Sequence, residues 1–152
     1  GIRQYEISNF ARAGAESRHN LKYWTRQPYL GFGVDAHSML PAAEGEDEAV
    51  RFANTDELER YMEGSPSMRT EVSRAQALEE TFFLGLRLAR GVNLAEVTAQ
   101  FGAEARTLVA PILGELQALN LLRVEGDRVS LTPAGRLLSN EVFERFLLKP
   151  AA

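Results

Sequence analysis

Helix start and stop signals divide the second half of the chain into short segments, and they constrain its fold more than any other feature. Ser73 and Gln76 have the three-residue spacing of a capping box, which predicts the start of a helix. Its apolar positions continue as far as Gly91, where we expect it to stop because glycine commonly follows a helix end. Asn93 repeats the capping device for a second helix over residues 94–101.

A third helix, a hairpin and a last helix are predicted after these two. Residues 104–119 carry apolar side chains at helical spacing, with Pro111 expected to cause a kink or a late start. Two short strands flank a Glu-Gly-Asp turn over residues 121–131, and Thr132 with Pro133 then opens the last helix. This order is typical of a winged helix. The residues expected to be buried in the third and last helices are Leu108, Ile112, Leu113, Leu116, Leu119, Leu137, Leu138, Val142, Phe143, Phe146 and Leu147.

The first part of the chain has a different pattern, and we predict a domain boundary after residue 66. Strand-like pieces near residues 2–7 and 29–34 are joined by a long polar segment, which in a compact fold is usually functional. A short helix is predicted to begin at Asn54 or Thr55, with Leu58, Tyr61 and Met62 on one face, and a Gly-Ser-Pro-Ser run ends it. The two predicted domains are therefore residues 1–66 and 67–152.

Composition narrows the classes of function. The chain has no cysteine, which excludes a disulfide framework and any site held by thiolates of this chain. No apolar run approaches the roughly 20 residues of a membrane-spanning helix, and no signal peptide is evident, so we expect a cytoplasmic protein. The chain opens at Gly1 inside a patterned segment without an initiator methionine, and we expect it to be a fragment.

Charge does not favour a nucleic-acid partner. Residues 1–40 carry five basic and three acidic groups, residues 41–70 three and eight, and residues 71–152 nine and ten. The third helix and the hairpin lack the cluster of basic and amide side chains that reads bases and neutralises phosphates. The acidic run Glu44, Glu46, Asp47 and Glu48 is interpreted as a solvated loop rather than a metal site.

Five strings in the chain resemble one family. YEISNFAR, ESRHNLKYW and YLGFGVDAHS, followed by EETFFLGLRLARGVNL and LTPAGRLLSNEVFERFL, are similar to the C-terminal part of oxygen-independent coproporphyrinogen III oxidase-like radical S-adenosylmethionine (radical-SAM) proteins. The resemblance is nearest to the heme-chaperone branch of that family. It implies an α/β remnant, the last strands of a radical-SAM partial barrel, followed by a mainly α, winged-helix-like C-terminal domain.

The resemblance implies a heme site at an HNxxY motif. The motif residues are His19, Asn20 and Tyr23, with His19 as the candidate iron ligand. Imidazole and phenolate are both axial ligands of heme iron, and an amide can orient either. An alternative interpretation is that His19 and Tyr23 only form hydrogen bonds to loop backbone.

A second implied site is the neighbourhood of S-adenosylmethionine, at Gly31, Phe32, Gly33 and Val34. Glycines there would allow close approach of a ligand, although tight packing at a sheet edge would also select them. Many relatives have a small residue where this chain has Asp35. His37 is interpreted as a structural histidine.

The family's CxxxCxxC motif, which holds a four-iron four-sulfur cluster, is absent from this chain. The resemblance therefore implies heme, S-adenosylmethionine and the cluster as cofactors of a longer parent, with no catalytic residue supplied by this chain. The implied partners are an N-terminal radical-SAM portion, heme or porphyrin, and heme-accepting proteins. Two alternatives to a heme chaperone stay open, an oxygen-independent coproporphyrinogen III oxidase and a free-standing winged-helix interaction module.

Overall fold

A computed structural model of the chain describes residues 1–43 and 47–147. The chain divides into two compact units. Residues 1–26 and 78–152 form unit 1, and residues 27–77 form unit 2. This division differs from the predicted boundary after residue 66, because residues 68–73 pair as a strand within unit 2.

The N-terminal part of unit 1 is a hairpin followed by a short helix. β1 (Ile2–Glu6) pairs antiparallel with β2 (Asn9–Arg12), which confirms a strand near residues 2–7. α1 (Arg18–Trp24) begins at Ser17, whose hydroxyl accepts a hydrogen bond from the backbone N–H of Asn20. This is the usual N-cap arrangement, in which the side chain satisfies one of the free amides of the first turn.

Unit 2 is a three-stranded antiparallel sheet with one short helix. The sheet order is β3 (His37–Pro41), β4 (Asp47–Ala53), β5 (Met68–Ser73), and α2 (Leu58–Met62) lies between the last two strands in sequence. The strand predicted at residues 29–34 is wrong. That segment makes a single bridge, between Tyr29 and Met39, and the regular strand starts at His37.

Two further predictions for unit 2 need correction. Asp47 and Glu48 belong to β4 rather than to a loop, and Glu48 forms an ion pair with Arg74, while residues 44–46 lie outside the described part of the chain. α2 begins after Glu57, not at Asn54 or Thr55. Its expected apolar face is not buried, since the side chains of Leu58 and Met62 are exposed.

The C-terminal part of unit 1 follows the predicted order of elements. It contains α3 (Arg74–Gly85), whose first residues lie in unit 2, then β6 (Val92–Asn93), α4 (Leu94–Phe101), α5 (Ala103–Ala118), β7 (Leu122–Glu125), β8 (Arg128–Leu131), α6 (Pro133–Leu137) and α7 (Ser139–Glu144). The hairpin of β7 and β8 gains a third strand, because β6 pairs with β8. The last helix is two short helices. Strands and helices thus mix throughout, as an α/β chain requires.

The predicted caps of α3, α4 and α6 are confirmed. Ser73 and Gln76 exchange side-chain-to-backbone hydrogen bonds, Asn93 accepts from the amide of Ala95, and Thr132 accepts from the amide of Gly135.

The predicted end of α3 at Gly91 is wrong, since the helix ends at Gly85. Residues 86–91 form turns instead, and the Ala89 amide donates to the Tyr5 carbonyl of β1.

The core of unit 1 is built from α3, α5, the hairpin and α7. Phe82 and Phe146 stack with ring centroids 4.7 Å apart and an interplanar angle of 4°. The buried stripe of α5 is Ala105, Val109, Leu113 and Leu116. Five of the leucines predicted to be buried are exposed: Leu108, Leu119, Leu137, Leu138 and Leu147.

Pro111 lies inside α5, so the predicted late start of that helix is wrong. Among the helices of residues 1–43 and 47–147, none is long and apolar enough to cross a membrane.

Candidate functional site

The three HNxxY residues lie on α1, in unit 1. His19 and Tyr23 are separated by four positions, so they share one face of the helix. Their rings meet edge to face, with centroids 5.0 Å apart and an interplanar angle of 81°. The motif therefore forms a compact pair of aromatic side chains on one helical turn.

The N-terminus of α1 is fixed by its neighbours. The Ser17 hydroxyl accepts from the Asn20 amide at 3.2 Å, and the Ser17 amide donates to the Tyr5 hydroxyl at 3.4 Å. At the other end the Thr25 hydroxyl donates to the Leu21 carbonyl at 2.7 Å. These bonds hold the helix in place before any ligand binds.

The imidazole of His19 is available to a ligand. The side chain is exposed, it makes no hydrogen bond with the residues that the structure describes, and its ring contacts the ring of Tyr23. The alternative interpretation for His19, a bond to loop backbone, has no counterpart in this arrangement. A neutral imidazole with a free ring nitrogen is a common ligand of heme iron.

The spacing of the two rings limits how they could bind one iron. Two axial ligands of a heme iron lie on opposite faces of the macrocycle, so the plane of the ring must pass between them. The rings of His19 and Tyr23 are 5.0 Å apart and in contact, so a macrocycle does not fit between them. The two side chains therefore do not form a pair on opposite faces of one macrocycle, and His19 is the more exposed of the two.

A series of contacts between charged side chains supports Trp24, the last residue of α1. The guanidinium of Arg87 lies over the indole of Trp24, 4.4 Å from the ring centroid, which is a cation–π geometry. Arg87 is held in turn by Glu6, which is buried, with Nη2 3.0 Å from Oε1. The other carboxylate oxygen accepts from the Ser8 amide and from the Asn9 side chain.

The residues predicted to neighbour S-adenosylmethionine form a loop in unit 2 that is anchored by hydrogen bonds. The Gly33 amide donates to the Tyr61 hydroxyl at 3.1 Å, and its carbonyl accepts from Asn54 Nδ2 at 2.8 Å. The Gly31 amide donates to the Ser38 hydroxyl at 3.0 Å. Anchored in this way, the loop leaves the Phe32 side chain 84% exposed.

Gly31 and Gly33 of this loop require glycine for different structural reasons. A Cβ on Gly31 would overlap the carbonyl oxygen of His37, which is the packing reason anticipated at a sheet edge. Gly33 has φ 101°, a conformation that favours glycine, and a Cβ there would meet open space. Asp35 is itself in the left-handed region, with φ 53°. The exposed His37 begins β3.

The HNxxY residues belong to unit 1, whereas this loop belongs to unit 2. Among residues 1–43 and 47–147 no group of three or more His, Cys, Asp or Glu side chains could hold a metal ion. With no cysteine in the sequence, the chain itself has no thiolate for an iron–sulfur cluster.

Comparison with known proteins identifies the family. Residues 72–138 match the family HemN C-terminal domain. The chain belongs to that family. It is 39% identical to heme chaperone HemW of Bacillus subtilis and 34% identical to heme chaperone HemW of Lactococcus lactis, in each case over 97% of this chain and 38% of the relative. The predicted family is thereby confirmed, and the chain spans 38% of the length of these relatives.

The fold agrees with that of a solved structure. Coproporphyrinogen III oxidase (HemN) from Escherichia coli, described as a radical-SAM enzyme, matches 96% of this chain and 37% of its own, with a TM-score of 0.65 and 18% identity. At that identity the likeness concerns the fold alone.

The HemN C-terminal domain match does not include either candidate site. It begins at Val72 in β5 and ends at Leu138, after α6, whereas the HNxxY residues and the loop at residues 31–34 precede it. Their assignment therefore depends on the residues themselves.

The structure also brings together residues that the sequence did not single out. Asp127, which precedes Arg128 in the hairpin, pairs with Arg106 of α5 at 2.7 Å. Arg128 instead donates to the carbonyl oxygen of Arg90 at 2.6 Å. Both arginines line a cavity beside Trp24. No local pattern in the sequence signals this, because the residues come from separate elements.

Proposed function

We propose that this chain is the heme-side part of a HemW-like heme chaperone. The observation that carries the proposal is the exposed His19 imidazole, free of hydrogen bonds to the described residues and placed on an anchored helix. The similarity to two heme chaperones over 97% of the chain supports it.

Within the proposed site, His19 coordinates the heme iron. Tyr23 packs edge-on against the imidazole and limits its rotation, since their centroids are 5.0 Å apart. The backbone N–H of Asn20 donates to the Ser17 hydroxyl that caps α1, which keeps the ligand-bearing turn in register. Heme supplies an iron with an open axial position, and the chain supplies the ligand and its orientation.

We also propose a division of labour with an N-terminal radical-SAM portion of the parent. That portion would hold the cluster and S-adenosylmethionine, while residues 31–34 approach the latter as a loop anchored by Ser38, Asn54 and Tyr61. Residues 67–152 would act as a winged-helix-like C-terminal domain, for which the match over residues 72–138 and the order of elements give support. Heme-accepting proteins are the proposed partners, in the cytoplasm.

A second candidate is part of an oxygen-independent coproporphyrinogen III oxidase. The fold likeness to that enzyme, with a TM-score of 0.65, favours it. The chaperone proposal is preferred because the curated relatives at 34% and 39% identity are heme chaperones. Conversion of coproporphyrinogen III by the full-length parent, reconstituted with its cluster, would contradict the preference.

The heme proposal is tested by adding heme to the chain and recording the Soret absorption band. We expect saturable, one-to-one binding with the band shifted from that of free heme. Binding that rises linearly with heme, without a shifted band, would contradict a specific site.

A further inference from the structure

Unit 1 contains a cavity of about 290 Å³ next to the end of the HNxxY helix. Its walls come from the C-terminal end of α1, from α3 and α4, from the turn and β6 between them, and from the start of β8. Residues from these walls include Trp24, Thr81, Arg90, Val97, Gln100 and Arg128. The cavity and the proposed iron ligand thus share one short helix.

The cavity is lined by two arginines that have no acidic partner. In the part of the chain that the structure describes, no carboxylate pairs with Arg90 or Arg128, and both residues are exposed. Arg128 Nη1 donates to the Arg90 carbonyl, which links the two residues. Their guanidinium groups keep the donors with which arginine binds carboxylates.

The other charged groups of the lining are already engaged. Arg26 pairs with Glu80 at 3.0 Å, and both side chains are more than 90% buried. Glu96 accepts from Asn93 Nδ2 at 3.3 Å at the start of α4. Apart from Arg26, the lining therefore has two cations without an acidic partner, Arg90 and Arg128, and one carboxylate, that of Glu96. Positive charge is in excess.

Trp24 adds an unmet hydrogen-bond donor. Its indole Nε1 is buried and has no partner among the described residues. A buried donor without a partner costs free energy that an acceptor atom would recover. The cavity wall thus combines the aromatic side chain of Trp24 with the guanidinium donors of Arg90 and Arg128.

We propose that this cavity binds a carboxylate substituent of a tetrapyrrole, which rests on the proposed heme function. Arg90 and Arg128 pair with the carboxylate, and Trp24 lies beside the ring edge that carries it. A cavity of about 290 Å³ is at the small end of ligand pockets, so it fits a substituent and not a whole macrocycle.

The test uses the 152-residue chain and metal-free protoporphyrin IX, which has two carboxylates and no iron for His19 to bind. Binding is followed by quenching of Trp24, the single tryptophan of the sequence. The comparison ligand is the dimethyl ester, which keeps the ring and removes both charges. The variants are Arg90→Gln, Arg128→Gln and the double substitution, each checked for unchanged far-ultraviolet circular dichroism.

We expect each single substitution to weaken binding of the diacid by roughly tenfold, the scale of a charge-assisted hydrogen bond. The double variant should bind it no better than the dimethyl ester, and the ester should be insensitive to the substitutions. Arg123→Gln is the matched control, because Arg123 is an exposed arginine of β7 that pairs with Glu125 and is absent from the cavity lining. It should bind the diacid like the unaltered chain.

Equal binding of diacid and ester, or equal loss in the Arg123 control, would overturn the carboxylate site. The heme proposal fails separately. If heme gives no shifted Soret band while the diacid still binds through Arg90 and Arg128, the carboxylate site is supported and His19 is not an iron ligand. If heme is bound through His19 but the arginine variants bind the diacid like the unaltered chain, the heme proposal is supported and the carboxylate site is overturned. If neither heme nor protoporphyrin IX binds, both the heme proposal and the carboxylate site are overturned.

Discussion

Glu6 and Arg87 form an ion pair across 81 positions of sequence, with 3.0 Å between Oε1 and Nη2. The pair joins β1 to the turn that follows α3, where the Ile7 amide also donates to the Arg87 carbonyl. Arg87 then covers the indole of Trp24. One buried carboxylate therefore connects the N-terminal hairpin, the C-terminal domain and the wall of the proposed cavity.

Replacing Glu6 by glutamine should destabilise the chain. The Glu6 side chain is fully buried, while Arg87 is 27% exposed and can recover some hydration. Removing one partner of a buried pair costs about 3–5 kcal/mol, and the partial exposure of Arg87 lowers our expectation to about 2 kcal/mol. Urea unfolding followed by circular dichroism measures the change, and Trp24 fluorescence should shift because Arg87 loses its anchor.

The matched control is Glu125→Gln, which removes an exposed acid 3.7 Å from Arg123. Surface pairs contribute about 0–1 kcal/mol, so little change is expected. Equal losses in the two variants would mean that the Glu6 pair contributes no more than a surface pair.

Gly135→Ala should be among the most damaging single substitutions in the C-terminal part of the chain. A Cβ at this position would overlap the carbonyl oxygen of Leu121, and both segments are fixed by the Thr132 cap. We expect a loss of at least about 2 kcal/mol, in the range of overpacked cores. Thermal unfolding of the purified variant measures it.

Gly114→Ala provides the opposite result from the same chemical change. Gly114 lies inside α5, and a Cβ there meets no atom within 4 Å. Alanine is favoured over glycine in a helix by about 1 kcal/mol, so this variant should be more stable. Destabilisation of both variants to the same extent would contradict the packing described at Gly135.

Phe146→Ala should cost about 3–5 kcal/mol, because it removes a buried ring that stacks on Phe82. The adjacent Leu147→Ala is the control, since its side chain is 53% exposed and should contribute less than about 1 kcal/mol. Urea unfolding of the two variants separates these outcomes. A larger loss of stability in Leu147→Ala than in Phe146→Ala would contradict the burial of Phe146 in the core.

Local signals predicted the helix starts well because a cap depends on residues three or four positions apart. Ser73, Asn93 and Thr132 each accept the backbone amide that their spacing indicated. Burial was predicted less well. Leu137 and Leu138 are apolar yet exposed, because apolar composition does not fix which side of a short helix faces the core.

The end of α3 and the cavity could not be predicted from local pattern. α3 ends at Gly85 where the following turn pairs with β1, and that contact joins residues more than 80 positions apart. Arg90 and Arg128 meet only after the sheet of β6 and β8 forms. The HNxxY residues were found by resemblance, and their spacing of four already indicated one helix face.

The most direct test of the heme proposal exploits the two histidines of the chain. His19→Ala and His37→Ala each remove an exposed imidazole, but only His19 lies in the HNxxY motif on α1. Heme is titrated into both variants and the unaltered chain, and the Soret band is recorded. We predict that His19→Ala loses the shifted band and binds heme at least roughly tenfold more weakly, while His37→Ala is unchanged. An unchanged spectrum and affinity in His19→Ala would contradict His19 as the iron ligand.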